Sequence, residues 1–400
     1  MRFANFINNL PISHHNGVFL HLVQPDTQLV IGTAIKSIVG LRVQSPTKFY
    51  NRKIHCMYFK SLNGKSPSAV MLCVVFALSS CKKDFPPIFK GGHSGNPVVV
   101  VAGYESNGTN NVAKYWIDGQ EIELSDGTHN ATANSIFVSD NDVYVAGMNS
   151  GAVYWKNNRE IRLSGNNASS IFVSGNDVYV GGSDSTHAVY WKNGNKIILE
   201  KSNLSVNFNS FAVYSIFVSG NDVYAAGFDD QNAVYWKNGS EFFLTAYTPE
   251  FEGTAHANSI YVSGSDVFVV GYVNSSGSVF PQVLYWKNGV LVPLSVADDP
   301  GQANSVFVSG SDVYIAGMHE ANPHFVATAA YWKNGNSILL PLTEMNSSAN
   351  SIFVSGSHVY VAGYEFVASQ ESYAVYWKDE VETKLTDGTH DAIATSIFIK

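Results

Sequence analysis

One thirteen-residue phrase, SIFVSGNDVYVAG, followed after a variable stretch by AVYWKNG, recurs in close variants through the last three quarters of this chain. A repeat of this size cannot bury its own apolar face, so copies must stack on one another, and the period dictates the architecture. The serines that open the phrase fall at Ser135, Ser170, Ser215, Ser259, Ser305, Ser351 and Ser396, separated by 35, 45, 44, 46, 46 and 45 residues. A Tyr-Trp pair recurs in step, ending at Trp116, Trp155, Trp191, Trp236, Trp286, Trp332 and Trp377, and these are all seven tryptophans of the chain. Their regularity marks them as core between units.

Each unit holds four β-branched or aromatic runs, as at 135–139, 142–147, 152–156 and 160–163, separated by turn residues. Four short strands per unit suggest a propeller blade. The first and second strands join through Ser-Gly-Asn-Asp, and the third and fourth through Lys-Asn-Gly, where Asn and Gly supply the positive φ angles of a tight hairpin. The link between blades must run from an outer strand to the next inner one, across three strand spacings or about 14 Å. The four residues 148–151 would be taut at about 13 Å, whereas 164–169 can reach about 20 Å, so the crossing follows the fourth strand and SIFVS is innermost. The fourth strand alternates and is polar (Arg159, Glu160, Arg162), as an outer edge should be.

The first unit begins inside a turn at 94–96 and lacks an inner strand, while the chain ends on Ser396-Ile397-Phe398-Ile399-Lys400, an inner strand with nothing after it. The expected fold is therefore an all-β, seven-bladed β-propeller of four-stranded antiparallel blades, closed by the C-terminal strand 396–400 joining the N-terminal blade beside 97–103. Units are expected near 97–130, 131–166, 167–211, 212–255, 256–301, 302–347 and 348–391. They resemble the repeats of uncharacterised secreted and lipid-anchored β-propeller proteins of bacteria, over residues 94–400, without the Gly-His and Trp-Asp marks of WD40 or the double glycine of kelch. That resemblance implies fold and export and brings no activity.

Upstream, Lys60 and Lys65 precede an apolar run at 69–78 and then Ser79, Ser80 and Cys81. This is a signal-peptide pattern, too short for a permanent membrane span. Leu78-Ser79-Ser80-Cys81 resembles a bacterial lipobox, which implies cleavage before Cys81 and a lipid on its sulfur; Lys82 in the next position points, by the same resemblance, to the outer membrane. The expected order is 1–56 as a non-native upstream extension or disordered, with Met57 the true start, 57–80 as signal peptide, 81–96 as lipid-anchored linker and 97–400 as propeller. Both conserved hairpin turns would then face the membrane, and the variable loops would face away. Cys56, Cys73 and Cys81 are the only cysteines, so the repeats hold no disulfide framework or Cys-ligated metal. Residues 1–80 hold eight Lys/Arg and one acid, leaving 16 Lys/Arg against 31 Asp/Glu, a balance unsuited to nucleic acid.

Function in such a scaffold belongs to the variable loops. The second strand of each unit ends in Gly followed by Tyr104, Met148, Ser183, Phe228, Tyr272, Met318 or Tyr364. The aromatic members Tyr104, Phe228, Tyr272 and Tyr364, with Phe325 and Phe366, are the candidate ligand-binding residues, and Tyr247, Phe251 and Tyr373 lie in the same variable regions. His319, Glu320 and His324 lack metal-ligand spacing, and the Asp-Gly-Thr-His loops at 126–129 and 387–390 lack that of an EF-hand, so no metal and no cofactor is expected. The expected function is a monomeric binding or interaction module for protein or glycan. The alternative is a polysaccharide hydrolase or lyase using rim carboxylates, which needs two acids converging on one pocket.

Overall fold

The computed structural model describes residues 97–199, 211–244, 253–275, 281–294, 300–321, 326–341, 346–366 and 371–400. These form seven four-stranded antiparallel sheets arranged as a seven-bladed β-propeller. Blade 2 shows the pattern: an inner strand Ala131–Ser139, then Asp142–Asn149, Ala152–Lys156 and the outer strand Arg159–Arg162, each paired with the next. Blades 3 to 7 follow in chain order, with inner strands Asn167–Ser174, Phe211–Ser219, Gly253–Ser263, Gly301–Ser309 and Asn346–Ser355.

Blade 1 is composite. Its inner strand is Ala392–Ile399, which pairs antiparallel with Val99–Ser106, Val101 opposite Ile397 and Ala102 opposite Ser396. Reciprocal main-chain bonds between Val98 and Lys400 finish the seam. The inner strands begin about four residues before the serine that the sequence pattern puts first. They do so through a bulge, between Ala133 and Ser135 in blade 2, which absorbs one extra residue and lets pairing continue toward the variable loops.

Three repeated devices hold the blades together. The tryptophans lie between sheets, each 0 to 2% exposed. The opening serine of each inner strand accepts the main-chain N–H of the following blade's Ile or Val at 3.0 to 3.3 Å, and the seven bonds close a circle. At the conserved turns, Asp142 takes a bond from Asn157 (2.6 Å) and pairs with Lys156 (2.7 Å), while Asn157 Oδ1 accepts the N–H of Val143, locking the two hairpins to each other. The same clamp recurs at Asp177, Asp222, Asp266 and Asp312; in blade 7 His358 takes the Asp position and Asp379 the Asn position, with His358 Nδ1 2.6 Å from Asp379.

Each glycine before the variable aromatic position is forced by close approach. A Cβ on Gly271 would stand 1.8 Å from the carbonyl oxygen of His256 on the paired inner strand, and the other blades repeat the conflict. Only glycine lets the second strand pass the bulge.

Candidate ligand site at the mouth of the axial channel

Along each inner strand, half-exposed residues alternate with buried ones, so one side packs between blades and the other lines the axis. Deepest is a circle of seven aromatic rings, Phe137, Phe172, Phe217, Tyr261, Phe307, Phe353 and Phe398, each touching the next at centroid distances of 4.8 to 5.2 Å. A heptagon with such sides sets its centroids about 5.6 Å from the axis, so the rings form one continuous aromatic belt.

Next to this belt along each inner strand sits the bulge position. In four blades it is an asparagine whose amide donates to a main-chain carbonyl of the following blade at 2.9 Å: Asn134 to Ala168, Asn258 to Ala303, Asn304 to Ala349 and Asn350 to Ala394. Thr395 does the same to Ala133 at 2.7 Å. Ser169 and Tyr214 break the pattern. At the mouth, Thr132, Asn167, Ala212, His256, Gln302, Ser348 and Ile393 stand directly opposite Met148, Ser183, Phe228, Tyr272, Met318, Tyr364 and Tyr104 respectively.

The structure gathers the candidate aromatics into two groups. Phe228 and Tyr272 belong to one, joined by two residues that the repeat pattern alone did not single out. Tyr214 stacks on Phe228 (5.5 Å, 16°), Phe228 meets His256 at 4.8 Å, and His256 stacks on Tyr272 (4.9 Å, 20°). Burial pushes the Tyr214 hydroxyl up to about 12, with Tyr272 adding to the effect. Burial lowers the basicity of His256, whose Nδ1 is enclosed without a hydrogen-bond partner. The signal was present in the sequence as departures from consensus: Tyr for Asn at 214, His at 256.

The second group is Tyr104, Tyr364 and Phe366. Tyr364 and Phe366 meet edge-on at 5.3 Å, and burial, followed by the nearby Tyr364 and Asp391, raises the Tyr104 hydroxyl above its ordinary range. Tyr373 faces elsewhere, beneath the ammonium of Lys384 at 3.8 Å. Phe325, Tyr247, Phe251, His324 and Cys81 lie outside the described residues.

Among the described residues, the carboxylates beside the mouth positions turn away from them. The residue after each variable aromatic position faces the other side of its strand: Glu105 pairs with the buried Lys114 at 2.6 Å, Asp184 with Lys196 at 2.7 Å, and Asp229 and Glu365 are 2% and 0% exposed. The two Asp-Gly-Thr-His loops turn their acids inward, Asp126 and Asp387 each accepting from the N–H and hydroxyl of the threonine two residues on. In blade 3, Asp184, Thr186 and His187 build the same turn.

No protein-family model matches the chain, and no curated protein sequence matches it. Among solved structures it is similar to a puromycin-hydrolyzing peptidase of Mycobacterium tuberculosis (9% identity, TM-score 0.48, over 72% of this chain and 53% of that one). It is also similar to a candidate 6-phosphogluconolactonase of Bacteroides fragilis (12%, 0.43, 78% and 99%) and to the acylaminoacyl peptidase of Pyrococcus horikoshii (14%, 0.44, 73% and 52%). The chain thus spans about half the length of each of the two peptidases.

Proposed function

We propose that this propeller is a lipid-anchored, extracytoplasmic binding module that takes its ligand at the variable-loop mouth of the axial channel. One observation carries the reading. In all seven blades, the bulge position, the mouth position of the inner strand and the facing residue of the second strand are free of Asp, Glu, Lys and Arg, in a chain with 32 acids and 24 Lys/Arg. A polar, aromatic set of positions without formal charge suits recognition through stacking and neutral hydrogen bonds. General acid-base cleavage of a polysaccharide needs paired carboxylates, and among the described residues the acids that follow the mouth positions, Glu105, Asp184, Asp229 and Glu365, are engaged or buried within the blades.

Anchoring rests on the sequence at Cys81 and its apolar leader. Labelled palmitate should enter the full chain and be lost in Cys81→Ser. The binding reading is tested by screening detergent-extracted protein against oligosaccharides and peptides, with Tyr272→Ala and Tyr364→Ala as mouth variants. A ligand whose affinity falls tenfold or more in either variant supports it; ligands indifferent to both refute it.

A further inference from the structure

Sevenfold regularity around the channel fails in one sector, and the failure has a chemical character. Five of the seven inner-strand carbonyls at the level of the bulge are capped by a side chain of the preceding blade, from Asn134, Asn258, Asn304, Asn350 or Thr395. Among the described residues, the two that receive no side-chain donor are those of Val213 in blade 4 and Ala257 in blade 5, where the residues in the donor position are Ser169 and Tyr214. Ser169 instead accepts a bond from Asn167 within its own strand. The same sector carries the stacked rings Tyr214, Phe228, His256 and Tyr272.

Main-chain carbonyls that lack the side-chain donor of their counterparts, beside a platform of aromatic faces, make a specific demand. The ligand must offer O–H or N–H donors along one edge and a flat apolar face beside them. Carbonyl oxygens take donors only, so an anion gains nothing there, and no carboxylate stands among these residues to hold a cation. A pyranose ring meets the demand, with C–H groups on one face for the electron-rich rings and equatorial hydroxyls at its edge. We propose that this sector is a subsite for a neutral saccharide, stacked on Phe228 and Tyr272, whose hydroxyls donate to the carbonyls of Val213 and Ala257. The assignment rests on the mouth being the ligand site and adds the class of ligand.

Two substitutions restore the consensus of the repeat and so test the site without breaking the fold. Tyr214→Asn removes a ring and supplies the missing amide for Ala257; Ser169→Asn supplies one for Val213 and leaves every ring in place. The full chain is titrated calorimetrically with neutral hexasaccharides of glucose, mannose and N-acetylglucosamine, with an oligogalacturonate and with a peptide pool. Expected is binding of a neutral hexasaccharide, weakened tenfold or more by Tyr214→Asn and threefold or more by Ser169→Asn, with thermal midpoints equal to or above the parent. Neutral saccharide binding untouched by both variants overturns the subsite. Preference for the oligogalacturonate, or binding only of peptides that is lost in Tyr272→Ala, overturns the saccharide class while leaving the mouth as a ligand site. Absence of binding by every probe overturns both.

Discussion

The hydroxyl of Ser396 accepts the main-chain N–H of Ile136 at 3.2 Å, joining residues 260 positions apart. It is the same bond that Ser135 makes to Ile171 and Ser351 makes to Ile397, so the C-terminal strand joins its neighbouring blades by the bonds used at the other blade junctions. What differs is entropy. Every other inner strand is tethered to its blade by a short hairpin, whereas Ala392–Ile399 must be brought back across the whole domain to Val99–Ser106.

Deleting residues 392–400 should therefore abolish the cooperative thermal transition seen by circular dichroism, because it strips a partner from Val99–Ser106 and opens the aromatic circle at Phe398. Ser396→Ala, which removes one hydrogen bond and keeps the strand, should cost only about 1 kcal/mol.

The tryptophans should be worth far more. Trp377 is fully buried between blades and its indole nitrogen has no hydrogen-bond partner, so its contribution is volume. Trp377→Ala should destabilise by about 3–5 kcal/mol in urea unfolding.

Two glycines of blade 5 separate close approach from turn geometry. Gly271→Ala drives a Cβ into the carbonyl of His256 and should prevent stable folding, since only backbone separation relieves it. Gly264→Ala, at φ +60° in open space, should cost about 1 kcal/mol. Soluble yield and thermal midpoint distinguish the two.

Acid should weaken the conserved rim through its turn clamps. Bonds from Asn238, Asn288 and Asn334, then from the neighbouring lysines, hold the carboxyls of Asp222, Asp266 and Asp312 below the usual range. At Asp177 the Lys192 bond leads. At Asp142 burial pushes upward and is outweighed by Lys156 and Asn157. A carboxyl depressed in the folded state stays ionised there while the unfolded chain, near 3.9, takes up protons first. The stabilisation is complete above that value and is lost as pH falls through the folded ones. Urea midpoints should be flat in this contribution from pH 5 upward and fall below pH 4, less steeply when all five aspartates are replaced by Asn.

Much of this was legible in the sequence because it is repeated. Seven serines, seven Tyr-Trp pairs and the short Asn-Gly turns specify blade number, strand order and the closing strand, since identical units must solve the same packing problem in the same way. Loop reach sufficed to place SIFVS at the axis. The start of the inner strands was not readable, because the bulge shifts the alternation by one residue midway.

The candidate site lies at the opposite extreme. Phe228 and Tyr272 stand out as deviations at one repeated position, but Tyr214 and His256 sit at two other positions, 42 residues apart, in segments that read as ordinary strand starts. Composition and period determined that the chain must form a ring of sheets. Which deviant side chains meet, and which carbonyls go without the donor their counterparts have, was decided only when the ring closed, because contacts between blades depend on radial position, height and side-chain direction together, and local sequence encodes none of these across a blade boundary.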